Sequence, residues 1–416
     1  MLRFYKKKIV AVGADVQIFL LSRLDFGTFI YHSYYARCWT NHRGKTALVL
    51  LTSRMSQVKQ LAQLISPDST LICLDNRFFR IIIALFRPGK YQQVIFNSLF
   101  SRLQQAYPQA LYIFDALPRS EFHPYFDWRL AATDCTIFSP SFLQAYQKTR
   151  RVMDSRDSTL RDSFELHRRD GLASRRMYLP AMTALRKAIG LQKEYVVLNI
   201  NAKKYRSGAE NNRSVEFPQR YDAIIDELIA QGLLVVIQGR SEQPQFNPRK
   251  GLVDYTRSHF TSIQNDLLLY SHCYFAITNK TGPESFCTVC NTPQLGLNYA
   301  EISSIIHNIK CRFWPKKFYS KHMQRALSWR EVLKSPSYFD LGPWSYDQDI
   351  IYEDLEEEEL LSALKEFLSL APQSDEKWLE WTPEQKEFHQ ALSPIHLDLH
   401  DTLTVPCQAY LNLYRI

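Results

Sequence analysis

From Tyr195 onward the chain alternates between short apolar runs and amphipathic stretches, and this alternation constrains the fold more than any other feature. VVLNI reads as a strand, EFPQRYDAIIDELIAQG as a helix, LLVVIQG as a strand, NDLLLYSHC as a helix and YFAIT as a strand. After the polar turn NKTGPESF comes another helix, then PQLGLN as a further strand. Phe217, Tyr221, Ile224, Ile225 and Leu228 share the spacing of one helix face, and Gly232 is placed to stop that helix. Strand, helix, strand at this spacing predicts an α/β fold with a parallel sheet covered by helices. Ligands in such sheets bind beyond the carboxyl ends of the strands, the expected position of Asn201, Gly239 and Thr281.

The first half repeats the pattern with VQIFLLS, TALVLLTS, STLICLD and ALYIFDA as strands. A chain of 416 residues exceeds one ordinary core, so two α/β layers are expected. The charged stretch before Pro180 marks the boundary, giving domains over 1–180 and 181–371. DLEEEELLSALKEFL reads as a long amphipathic helix with its acids at the end the helix dipole favours. The tail over 372–416 is rich in Trp and His and is expected to pack back on the first domain.

The net charge of +9 points to anionic partners, and its basic pairs concentrate in the first half. No nucleic-acid-binding module accompanies the charge, so nucleic acid is not the expected partner. Eight cysteines are too sparse for a secreted disulfide framework, which favours a reducing compartment. Cys287 and Cys290 form a C-x-x-C inside a predicted helix, with no partner pair at zinc spacing, and read as core residues. No metal is expected. No apolar run reaches the roughly 18 residues of a membrane span, so the expected location is the cytoplasm. The basic, aromatic N-terminus MLRFYKKKIV would suit peripheral attachment to the anionic inner membrane.

TGPES holds the residues of a strand feeding a helix: Thr281 and Ser285 can cap, Gly282 admits close approach, and Pro283 suits a first turn. Two roles fit these residues, an ordinary helix cap and an anion site made by unpaired backbone N–H groups.

Four elements in order carry a resemblance: NNRSVEF, GLLVVIQGR, VDYTRSHFTSIQND and KTGPESF followed by NTPQLGLN. Together they resemble a little-characterised family of bacterial glycosyltransferases of capsule and lipopolysaccharide synthesis, and the TGPES turn is similar to the T-G-P-T-H turn of heptosyltransferases. The resemblance implies the GT-B architecture, two Rossmann-like domains facing each other across a cleft, the first for the acceptor and the second for a nucleotide sugar. It implies transfer of a sugar from a nucleotide-activated donor to a glycan or lipid-linked glycan acceptor, with no cofactor beyond the donor itself. Thr281, Gly282, Pro283 and Ser285 would meet the donor phosphate, Glu284 the ribose hydroxyls, and Asn298 would match the family's asparagine. Glu284 fits equally well as a first-turn acid stabilising its own helix.

Gln238 stands where the family offers Arg, and Lys203, Lys204, Arg206 and Arg213 in KKYRSGAENNR are the candidate replacements for that cation. In SRLDFGTFIYHSYY the family's Gly-His is Gly27-Thr28, so Asp25 becomes the candidate general base, with His32 second. Asp25 also fits as a turn residue or helix cap. The alternatives to transfer are a sugar-nucleotide epimerase of the same plan and an inactive glycan- or nucleotide-binding relative.

Overall fold

The computed structural model describes four strands and Ile65 in the first half, then residues 178–202, 214–239, 244–279, 281–300, 302, 310–334, 349–392 and 404–415. The chain divides into two compact units, Met1–Arg169 and Asp170–Ile416, so the second unit begins before the expected boundary at Pro180.

The described strands of the first unit are β1 (Gln17–Leu21), β2 (Thr46–Leu50), β3 (Thr70–Cys73) and β4 (Leu111–Phe114). They pair in parallel in the order β3-β2-β1-β4, each lying on an apolar run singled out by the sequence pattern.

The second unit opens with helix α1 (Leu179–Ala188) and strand β5 (Tyr195–Asn199), followed by α2 (Asp222–Ala230), β6 (Leu234–Ile237), β7 (Leu252–Asp254), α3 (Ile263–His272) and β8 (Phe275–Thr278). It continues with α4 (Ser285–Cys290), β9 (Gln294–Tyr299), β10 (Cys311–Pro315), β11 (Lys317–Ser320), β12 (Arg325–Ala326), α5 (Trp329–Lys334) and β13 (Ile350–Glu353). The last elements are α6 (Glu357–Leu370), α7 (Asp375–Trp378), α8 (Pro383–Leu392), β14 (Val405–Pro406) and α9 (Gln408–Leu413). The main sheet runs β14-β10-β9-β8-β5-β6-β7, parallel throughout, and β12-β11-β13 form a small antiparallel sheet. All five residues of β5 and all four of β8 are buried, as expected for strands covered on both faces.

The ends of α2 follow its sequence. Gly232 takes φ +84°, its N–H bonds to Ile229 O at 2.9 Å, and Leu233 N–H bonds to Leu228 O at 3.1 Å, closing the helix in a Schellman motif. Tyr221, Ile224, Ile225 and Leu228 are buried as predicted, but Phe217 is 48% exposed. A single 3-10 turn, Pro218–Tyr221, precedes α2, and its tighter winding turns Phe217 off the apolar face. The Phe217 ring instead lies 4.5 Å from the Arg220 guanidinium.

Helix α6 is led by acids, as expected, and Glu356 and Glu359 form a capping box. Cys287 and Cys290 are buried in α4 and form no disulfide, consistent with packing.

The tail departs from expectation, because its described residues are built into the second unit. β14 pairs with β10, Gln385 donates to Pro406 O at 2.9 Å, and the N–H groups of Gln408 and Ala409 bond the Glu366 carboxylate at 2.8 and 3.0 Å. Trp378 is fully buried edge-on against Phe367, and buried Arg312 donates to its carbonyl at 2.9 Å. The aromatic content noted in the sequence is satisfied by covering β10 and α6. Among the described residues no helix is long and apolar enough to cross a membrane.

Candidate functional site

In the main sheet the chain moves from β5 to β6 and β7 on one side, then returns to β8, β9 and β10 on the other. The strand order reverses between β5 and β8, which opens a crevice beyond their carboxyl ends. Five polar residues meet there. Thr281 donates to Asn199 Oδ1 at 2.6 Å, and the backbone N–H of Asn201 donates to Asn279 Oδ1 at 2.7 Å. Asn199 Nδ2 donates in turn to the Gln238 side chain at 2.7 Å and its carbonyl at 2.9 Å. Asn201 is only 8% exposed, yet among the described residues its Nδ2 has no hydrogen-bond partner. A buried amide donor without an acceptor costs free energy, and a ligand oxygen would recover it.

The network continues inward from Gln238. Tyr270 donates its hydroxyl to Gln238 Oε1 at 3.1 Å, and the carboxylate of half-buried Asp266 bonds Gln238 and Tyr255. Burial outweighs those bonds and lifts the Asp266 carboxyl to about 7.

Several residues read from the sequence as ligand contacts are committed elsewhere. Gln238, read as a donor contact without the family's cation, is 1% exposed and belongs to the internal network just described. Glu284 is buried and accepts from the Tyr299 hydroxyl at 2.9 Å, tying its turn to β9 instead of offering an exposed acid to a ribose. Asn298, at φ +58°, donates to the Tyr221 hydroxyl at 3.0 Å and accepts from Leu355 N–H at 2.8 Å, so its amide serves the core.

The TGPES turn also differs from the expected helix terminus. Gly282–Glu284 form a 3-10 turn ahead of α4, which is only six residues long, so little dipole stands behind it. The N–H of Glu284 bonds Thr281 O at 3.2 Å, and that of Ser285 bonds the carbonyls of Gly282 and Pro283, leaving neither aimed at an anion. Thr281 makes no side-chain cap, its hydroxyl being given to Asn199. Thr281, Gly282 and Pro283 are half-buried at the crevice, while Ser285 is 1% exposed. Gly239 leaves β6 at φ +147°, a backbone conformation open to glycine, and is half-buried next in sequence to Gln238.

Asp25, His32, Lys203, Arg206 and Arg213, with Lys204, lie outside the described residues. Sequence reasoning overlooked Asn199 and Asn279. The signal was present in the asparagines of LNIN and AITN at the ends of two apolar strands.

Neither protein-family models nor curated proteins match the sequence. Among solved structures, the chain is similar to the E. coli ADP-heptose LPS heptosyltransferase II, at 10% identity and a TM-score of 0.45, over 86% of this chain and 100% of that one. It is similar to the glycosyl transferase family 9 protein from Veillonella parvula DSM 2008, at 12% identity and a TM-score of 0.44, over 85% and 97% of the two chains. It is also similar to the E. coli heptosyltransferase WaaC with ADP-2-deoxy-2-fluoro heptose, at 9% identity and a TM-score of 0.37, over 72% and 92%. Likeness of this degree assigns no activity by itself.

Proposed function

We propose that the chain is a glycosyltransferase that moves a sugar from a nucleotide-activated donor to a glycan or lipid-linked glycan acceptor of the cell surface, such as capsule or lipopolysaccharide. The observation that carries the reading is the buried Asn201 amide, unpaired among the described residues, at the point where the parallel strand order reverses. The four-element sequence resemblance supports the same class. On this reading the donor lies beyond the carboxyl ends of β5 and β8, with its phosphate oxygens accepting from Asn201 Nδ2. Lys203, Arg206 and Arg213, in the segment that leaves β5, supply cations to the departing nucleotide phosphate. Gly239 and Gly282 allow the backbone to approach the ligand closely.

Asp25, in the segment that leaves β1, takes the proton of the acceptor hydroxyl as it attacks the anomeric carbon, and His32 is the second choice for that role. The C1–oxygen bond to the nucleotide breaks as the new glycosidic bond forms, and the displaced phosphate carries away the negative charge. No metal is invoked. The work takes place in the cytoplasm, with the basic N-terminus against the anionic inner leaflet.

A thermal-shift screen against ADP, UDP, GDP and CMP and their common sugar conjugates tests the reading, because a ligand that binds only the folded chain must raise its stability. A shift with one nucleotide class that is lost in Asn201→Leu is the expected result. No shift with any of them would overturn the proposal. Product analysis then separates transfer from epimerisation, which needs no acceptor.

A further inference from the structure

We infer that the buried Lys316–Asp354 ion pair is a positioning device for the donor site, acting through the backbone of residues 214–217; the inference rests on the nucleotide-sugar reading above. Lys316 follows β10 and Asp354 follows β13, and their side chains are 3% and 1% exposed. Removing two charges from water is costly, and a buried pair is worth little to stability by itself. The pair's other hydrogen bonds among the described residues all go to the same piece of chain. Lys316 Nζ donates to Asp354 Oδ1 at 2.5 Å and to Ser214 O at 2.7 Å. Asp354 Oδ2 accepts from the N–H groups of Glu216 at 2.5 Å and Phe217 at 2.9 Å. One carbonyl and two amides within four consecutive residues are thus clamped from outside their own strand.

The clamped segment leads directly to the site. Val215 N–H donates to Asn201 O at 2.7 Å, and Val215 bridges Ala202 in parallel, so the clamp extends β5 past its last ladder residue and holds the residue that carries the unpaired amide. Val215, Glu216 and Pro218 also line a cavity of about 550 Å3 with Ala202 and Pro244, within the size range of small-molecule sites. Ser214 is 1% exposed and its hydroxyl, like the Asn201 amide, lacks a partner among the described residues. Arg213, one of the proposed donor cations, is joined to Ser214 by a peptide bond. The clamp therefore sets where this wall of the cavity stands.

The test is the paired substitution Lys316→Met with Asp354→Leu, which removes both charges together so that neither is left buried alone. Three quantities are read in the full chain: hydrogen exchange at Glu216 and Phe217, affinity for the nucleotide sugar that shifts the wild type, and turnover at saturating donor. The expected result is exchange at those two amides faster by at least about tenfold with β5 and β6 still protected, and donor affinity weaker by at least about tenfold, the small end of what misplacement costs. Turnover at saturating donor stays within about twofold, because the clamp touches no reacting atom. Should the paired variant fail to fold, Lys316→Met with Asp354→Ala, which likewise removes the acceptor of the two amides and leaves no buried charge, is read in the same way. Freed amides with unchanged donor affinity, or amides whose exchange does not change, would overturn the inference alone. A wild-type chain that binds no nucleotide sugar fails before any variant is compared and overturns the functional reading.

Discussion

The hydroxyl of Thr281 donates to Asn199 Oδ1 over 2.6 Å, across residues 82 apart in sequence, and so ties the turn after β8 to the last residue of β5. The bond closes the side of the crevice where the strand order reverses. It also holds Asn199 in the rotamer from which its amide reaches Gln238.

Thr281→Val keeps the branched shape and deletes the donor. It is expected to lower stability by about 0.5–1.5 kcal/mol through the lost bond, with a further penalty for the unpaired Asn199 oxygen. Urea denaturation at constant m-value measures this, and nucleotide affinity should fall with it if Thr281 borders the donor. Unchanged stability would show that the bond contributes nothing in solution.

Asp266 predicts a pH dependence whose sign follows from its raised carboxyl. The unfolded chain titrates this group near its ordinary value of 3.8, whereas the folded chain holds the proton up to about 7. Between those values the folded state binds more protons, so the stabilising contribution is complete below 3.8 and is lost as pH rises to about 7. Asp266→Asn should flatten that limb of the stability profile. A variant with the same pH slope as the wild type would assign the dependence to other groups.

The tail supplies core side chains, among them fully buried Leu411 on α9. Leu411→Ala is expected to cost about 2–5 kcal/mol, the range for large-to-small changes in a packed interior. Chemical denaturation provides the measurement, and a cost near zero would mean that the tail is not integral to the second unit.

Asp25→Asn tests the proposed base. β1 lies between β2 and β4, and Asp25 follows its last residue, Leu21, closely in sequence. The amide keeps the side-chain shape but cannot take a proton, so transfer should fall by about 10²–10⁴-fold while donor binding persists. Turnover near the wild-type rate would remove Asp25 from the mechanism and bring His32 forward.

Between Tyr195 and Tyr299 the main strands and helices of the second unit were legible in the sequence, because hydrophobic periodicity is a local property that burial on one or both faces imposes on each segment. VVLNI, LLVVIQG, YFAIT and PQLGLN all lie on parallel strands, and the glycine after α2 stops its helix in the position expected. Strand ends were therefore legible, and with them the region of the site. The partner of each polar side chain was not, since it depends on which distant strand ends meet. Gln238, Glu284 and Asn298 carry the residue types of a ligand site but turn inward to Asn199, Tyr299 and Tyr221. Lys316 and Asp354 stand out in no local pattern, yet together they hold a segment more than a hundred residues upstream of both. The tail was read correctly as a segment that packs and wrongly as to where, because apolar composition demands burial without specifying the surface that provides it.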